Sequence, residues 1–239
     1  MSNGKELSLL GHLKELRNRL FFSAIAVAVF MVPAFYLTRY VLLFFKSLAP
    51  GIELVFTGAT EMLATYMKVS IYLALAMALP FVFFQAFMFV SPGLSSREKR
   101  YVYVLLPGVV FFFIAGVVFS YVVLLPPALK FLLTFGQDIA RPLIEVGNYV
   151  SLVSRLLFWT GVVFEIPMVM YFLSKLGVVS ARALARGRKI ALVGAFILGA
   201  MITPTIDPVN QTLISLPIFA LYEIGIWLAK LAGRGRRAV

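Results

Sequence analysis

The chain has 239 residues, of which 62% are hydrophobic and 13% charged, with a formal net charge of +12. A soluble domain of this length cannot bury that much apolar surface, so lipid must cover it. Cysteine is absent, which excludes disulfides, thiolate nucleophiles and cysteine-ligated metals, and the single histidine argues against a histidine-rich metal site.

The predicted architecture is all-α: one polytopic integral membrane domain, residues 1–239, with six transmembrane helices and both termini cytoplasmic. Residues 5–20 carry Leu10, Leu13, Leu16 and Leu20 at helical spacing, with Lys14, Arg17 and Arg19 between them. That pattern predicts an amphipathic helix lying at the interface and running into span 1. A cleaved signal peptide is not expected, because Glu6 and Glu15 interrupt the basic region and no small-residue cleavage site follows. Span 1 covers about 20–45, its outer end from Arg39 to Phe45 forming an interfacial turn. An outer loop over 46–66 has Pro50-Gly51 as a turn signal and a short helix over Thr60–Met67.

Span 2, about 67–90, has Gln85 as its only side-chain amide and a kink expected at Pro80. Span 3, about 99–129, is longer than a bilayer requires, so it tilts or projects, with bends at Pro107, Pro126 and Pro127. The outer loop that follows ends in an amphipathic stretch. Span 4, about 153–175, places Glu165 at its middle. Spans 5 and 6, about 189–206 and 209–230, form a tight hairpin across Asp207 and Pro208. Span 5 is short for a hydrocarbon core of about 30 Å, which predicts local thinning of the bilayer.

Basic residues set the orientation. On one side lie Lys5, Lys14, Arg17 and Arg19, then Arg97, Lys99 and Arg100. Lys175, Arg182, Arg186, Arg188 and Lys189 follow, and finally Lys230, Arg234, Arg236 and Arg237, sixteen in all. The other side has six: Arg39, Lys46, Lys68, Lys130, Arg141 and Arg155. The richer side is predicted to be cytoplasmic. This distribution is explained by topology and anionic membrane lipid, and no nucleic-acid partner is expected.

Within it lies the connection Ser91–Arg100, where Pro92 and Gly93 end one helix and Ser95-x-x-Glu98 has the form of a capping box starting the next. Glu98 thus has two readings, a cap for a helix N-terminus or an exposed carboxylate for a cationic ligand.

The run His12-Leu13-Lys14-Glu15-Leu16-Arg17-Asn18-Arg19-Leu20 resembles the HLxELRxRL signature of the TatC family, the substrate-receptor subunits of the twin-arginine protein translocase. Phe89-Val90-Ser91-Pro92-Gly93-Leu94 with Glu98 resembles the family's first cytoplasmic loop, and Phe164-Glu165-Ile166-Pro167 its fourth span. Thr203-Pro204, Asp207 and Gln211-Thr212-Leu213 resemble its last outer turn. These motifs fall in order along nearly the whole chain. The resemblance implies a bacterial cytoplasmic (inner) membrane protein that recognises twin-arginine signal peptides of folded proteins. Its implied partners are TatA- and TatB-type single-span subunits in an oligomeric complex, with energy from the proton-motive force. It implies a signal-peptide site of Glu15, Leu16, Arg17, Phe89, Pro92, Leu94 and Glu98, an intramembrane polar cavity with Glu165 and Gln85, and an outer turn with Asp207 and Gln211. No cofactor is expected.

Each of these residues also has a plainer reading. Glu15 pairs with Arg19 at i,i+4, worth a few tenths of a kcal/mol. His12 is a helix-surface residue, Phe89 an interfacial aromatic. Glu165 is harder to dismiss, because a carboxylate at mid-span costs about 2.5–3.5 kcal/mol on insertion scales and must face protein or a wet cavity. A competing function is a small proton-coupled secondary transporter using Glu165. Against it, the only other carboxylate well inside a span is Glu223, no histidine lies in any span, and the halves show no obvious repeat. An intramembrane enzyme is not expected, since thiol and HExxH zinc chemistry are unavailable.

Overall fold

A computed structural model describes residues 9–49, 53–90, 96–134, 143–202 and 208–234; Pro92, Leu94, Ser95, Asp207 and the side chain of Glu98 lie outside the described residues. Nine α-helices are present among them: α1 Leu9–Ser47, α2 Glu61–Val90, α3 Ser96–Phe119, α4 Leu125–Thr134, α5 Val146–Val163, α6 Ile166–Leu176, α7 Ala181–Arg186, α8 Arg188–Ile202 and α9 Pro208–Arg234. Five segments are long and apolar enough to cross a membrane: Gly11–Ser47, Glu61–Val90, Leu105–Phe131, Val146–Leu176 and Gln211–Gly233. The 15-residue α8 falls short, at about 22 Å of helix.

One sequence expectation changes at α1. Residues 9–47 form one helix of 39 residues, about 58 Å long, so the N-terminal helix runs unbroken into the span and the stretch expected as a turn over 39–45 is helical. Pro33 lies inside it without ending it, and the helix is longer than a core of about 30 Å. Only 6% of its most apolar window is buried, and Phe21, Phe22, Val29, Val32 and Tyr36 are exposed, as a lipid-facing helix requires. Likewise the short helix expected over 60–67 is the first two turns of α2.

The long third span is α3 and α4 joined by a π-helical turn, Ser120–Leu124, in which Leu125 N–H donates to the Ser120 carbonyl. Pro126 and Pro127 have no N–H to give to the carbonyls of Val122 and Val123, so the i−4 ladder fails there and the wider i−5 bond takes over. The fourth span is also broken. Phe164 N–H reaches the Thr160 carbonyl and Glu165 N–H the Val162 carbonyl at 3.1 Å, and α6 restarts with a proline in its first turn. Pro167 cannot donate to Val163, which is why α5 stops beside Glu165.

The all-α expectation missed one small element. β1, Leu54–Val55, pairs in parallel with β2, Ile144–Glu145, so two loops distant in the chain satisfy each other's main chain. Around it Glu61 Oε1 accepts from Gly147 N–H at 2.9 Å and Glu61 Oε2 from Thr57 N–H at 2.8 Å. Glu145 accepts from Thr57 Oγ1 and from Asn148 Nδ2, and Tyr149 OH donates to the Phe45 carbonyl. These bonds form a cap over the ends of α1, α2 and α5.

Inside, α2 packs on α1 and α5, α3 on α5, and α9 on α6 and α8. One apolar cluster runs from Phe45 and Val69 through Leu125, Val153 and Leu156 to Ile214 and Ile218. A second gathers Leu79, Phe87, Val109, Met168 and Phe172. At the α3–α5 crossing a Cβ on Gly116 would lie 2.8 Å from Gly161 Cα, so only glycine lets these backbones approach.

Candidate functional site

Antiparallel packing brings the start of α1 against the end of α2. There Glu15 projects beside an open cleft of about 470 Å³ whose lining includes Lys14, Asn18, Arg19, Phe22 and Gln85. Arg19, one turn on, donates to Glu15 Oε1 from Nε at 3.0 Å and from Nη2 at 2.6 Å. Its Nη1 donates to Gln85 Oε1 at 3.1 Å. Both guanidinium bonds fall on one carboxylate oxygen, and Glu15 Oε2 accepts none among the described residues. The pair is partly exposed, at 22% and 25% of each side chain, so it is worth about 0.3–0.5 kcal/mol. Beside it the His12 ring stacks on Phe89 at 4.4 Å between centroids and 19° between planes. Leu16 is half-buried and Arg17 exposed on the same turns.

Of the residues singled out for signal-peptide binding, the fold therefore brings together Glu15, Leu16, Arg17 and Phe89. Gln85, grouped in the sequence reading with Glu165, bonds instead to Arg19. Sequence reasoning saw Arg19 only as a topogenic charge and a partner for Glu15; its bridge to Gln85 spans 66 positions, which no local pattern encodes.

Glu165 occupies the break between α5 and α6, is 1% exposed, and among the described residues neither carboxylate oxygen meets a hydrogen-bond partner in bonding geometry. The hydroxyls of Ser120, Ser154 and Thr160 are also buried and unpartnered. These three were missed; hydroxyl residues standing alone in apolar runs were the available signal. At the outer end of α9, Gln211 Nε2 donates to the Phe196 carbonyl of α8 at 3.1 Å, and a Cβ on Gly199 would meet Ser215 Oγ at 2.4 Å. Further along, Arg188 grips Glu223 through Nε–Oε1 at 2.6 Å and Nη2–Oε2 at 2.9 Å, tying α8 to α9. Among the described residues no three His, Asp or Glu side chains gather where a metal could bind.

Fold and site together define a multi-pass helical membrane protein, with an arginine-occupied carboxylate in an open cleft at one end and an unpartnered carboxylate inside. The family described as "Sec-independent protein translocase protein (TatC)" matches residues 11–217, and the chain belongs to that family. It is 39% identical over 239 residues to the TatC of Aquifex aeolicus, covering 98% of this chain and 99% of that protein. With the TatC of Carboxydothermus hydrogenoformans it shares 37% over 228 residues, covering 95% and 94%. A solved structure titled "Crystal Structure of Twin Arginine Translocase Receptor- TatC" superposes with a TM-score of 0.80 at 40% identity, covering 92% of this chain and 99% of that one. The chain is thus a translocase component, and its relatives are named as such.

Proposed function

We propose that this chain is the receptor and core subunit of a twin-arginine translocase. It binds twin-arginine signal peptides of folded proteins and scaffolds their export with TatA- and TatB-type single-span subunits in an oligomeric complex. The observation that carries this reading is the Glu15 carboxylate, which already holds a guanidinium on one oxygen and leaves the other facing an open cleft. Two adjacent arginines need two acceptors, and a guanidinium forks onto a carboxylate in a way that lysine cannot reproduce. Glu15 takes one arginine, either on Oε2 beside Arg19 or by displacing it, and Glu98 takes the other. The exchange is energetically easy. The resident pair is worth about 0.3–0.5 kcal/mol, whereas an incoming charge-assisted bond contributes about 1.5–3 kcal/mol. Leu16, Phe89, Pro92 and Leu94 supply the apolar flank for the residues beside the arginines.

In this reading the chain crosses a bacterial cytoplasmic membrane six times, with the N-terminus, residues 91–100 and 175–189 and the C-terminus inside, as the sixteen-to-six basic asymmetry supports. The short α8 is the fifth crossing and thins the bilayer beside it. Glu165 lies in a cavity that receives the signal peptide or a partner helix, and Asp207 and Gln211 hold the outer turn. Energy comes from the proton-motive force.

The test is photo-crosslinking. A twin-arginine peptide with a photoreactive group beside its arginines is expected to attach within residues 11–20 and 85–98. Attachment only at the outer loops would overturn the reading. Because the chain has no cysteine, a Ser96→Cys variant checks orientation directly: labelling by an impermeant reagent from outside intact cells contradicts it.

A further inference from the structure

At the end of the bundle where α6 and α9 finish, a groove of about 680 Å³ opens between the α6–α7 connection and α9. Arg182 and Lys230 line it from opposite sides, along with Ser180 and Val179. No carboxylate lines it, and the nearby Glu223 is already gripped by Arg188. Among the described residues neither Arg182 nor Lys230 has a hydrogen bond or ion pair, so two like charges converge on one groove without a counterion. Ser180 Oγ accepts from Ala183 N–H at 3.1 Å, which leaves its hydroxyl proton free to donate. Val178, next to the lining Val179, is 58% exposed, and around α9 from Lys230, on the face turned away from the groove, Trp227 is 69% and Leu231 57% exposed.

We propose that this groove is a binding site for an anionic phospholipid, whose phosphodiester sits between Arg182 and Lys230 and accepts from Ser180, while its acyl chains leave the groove and pass around α9 to the exposed apolar face that bears Trp227 and Leu231. Basic pockets between membrane helices suit such headgroups, and the exposed tryptophan marks the interfacial depth at which they lie. With no carboxylate to take a choline or ethanolamine cation, the site favours a lipid with net negative charge over a zwitterionic one. The site is separate from the Glu15 cleft and does not depend on the signal-peptide reading.

Tryptophan quenching tests it on the full chain reconstituted in phosphatidylcholine vesicles, in a Trp159→Phe background so that Trp227 is the only reporter. Phosphatidylglycerol with brominated acyl chains is expected to quench more than brominated phosphatidylcholine at equal mole fraction. Arg182→Gln and Lys230→Gln should each reduce that preference about fivefold, while Arg182→Lys and Lys189→Gln, the latter outside the groove, keep it. Equal quenching by the two lipids overturns the proposal, as does a preference lost equally in Lys189→Gln, since that reports general surface potential. Loss of the preference in millimolar inorganic phosphate assigns the groove to free phosphate and also overturns it. If either Gln variant does not fold, Arg182→Met or Lys230→Met carries the same comparison, with Arg182→Lys as the control that keeps the preference.

Discussion

The cap at one end of the bundle and the cleft at the other both rest on glutamates, yet they use them in opposite ways. In the cap, both oxygens of Glu61 accept backbone N–H groups, and both oxygens of Glu145 are bonded to Thr57 and Asn148. In the cleft, Glu15 has one oxygen on a partly exposed guanidinium and one open. Inside the bundle, Glu165 has neither oxygen bonded among the described residues. Glu61, closed by two main-chain N–H groups, ties the start of α2 to Thr57 and to the start of α5. A carboxylate left half-bonded or unbonded is available to something that arrives. Satisfaction of the oxygens, more than charge or burial, separates framework from site.

Substitution at Glu165 should give the largest effects. Glu165→Lys is expected to abolish transport, since it reverses the charge at a position with no partner at a cost of about 2.5–3.5 kcal/mol. Glu165→Leu should impair transport strongly, and Glu165→Gln should be tolerated far better, because an amide still hydrogen-bonds. Export assays across the three variants check this order. Equal loss in Gln and Lys would mean that an ionisable carboxylate is required there.

At the cap the expected loss is of stability and not of binding. Glu61→Ala should lower the Tm in detergent by several degrees, with Gly147 N–H and Thr57 N–H left without their acceptor, while affinity for a twin-arginine peptide stays within a factor of about two. An unchanged Tm would show that the cap is held by the β1–β2 pairing alone.

Smaller effects sharpen the picture of the cleft. Phe89→Leu removes the stack with His12 and should weaken peptide binding by about 0.5–1.5 kcal/mol, read by titration. Arg19→Gln should change thermal stability by less than about 0.5 kcal/mol, because its pair with Glu15 is a partly exposed i,i+4 contact. A large stability loss in Arg19→Gln would make the pair part of the framework and remove it from the site.

Much of this was legible in the sequence because lipid imposes simple rules. Long apolar runs marked the helices, and Pro126, Pro127 and Pro167 lie where regular hydrogen bonding fails. Where α1 ends was less legible: Arg39 to Phe45 read as a turn, yet the helix continues to Ser47. The motif containing Glu15 stood out only as a resemblance. The contacts that decide its role, Arg19 with Gln85 and Glu61 with Gly147, join residues 66 and 86 positions apart. Periodicity carries no record of such pairs; they follow from which helices pack.

The central claim is that half-satisfied Glu15 and its companion Glu98 receive the two arginines, and peptide affinity measures it directly. Glu15→Gln and Glu98→Gln are each expected to insert and assemble normally and to keep their Tm. Each should bind a twin-arginine peptide about ten- to a hundredfold more weakly, the loss of one charge-assisted pair. In the double variant, affinity should fall to that of a peptide whose arginines are replaced by lysines. Unchanged affinity in Glu98→Gln would leave Glu98 only its capping role, and unchanged affinity in Glu15→Gln would contradict the account.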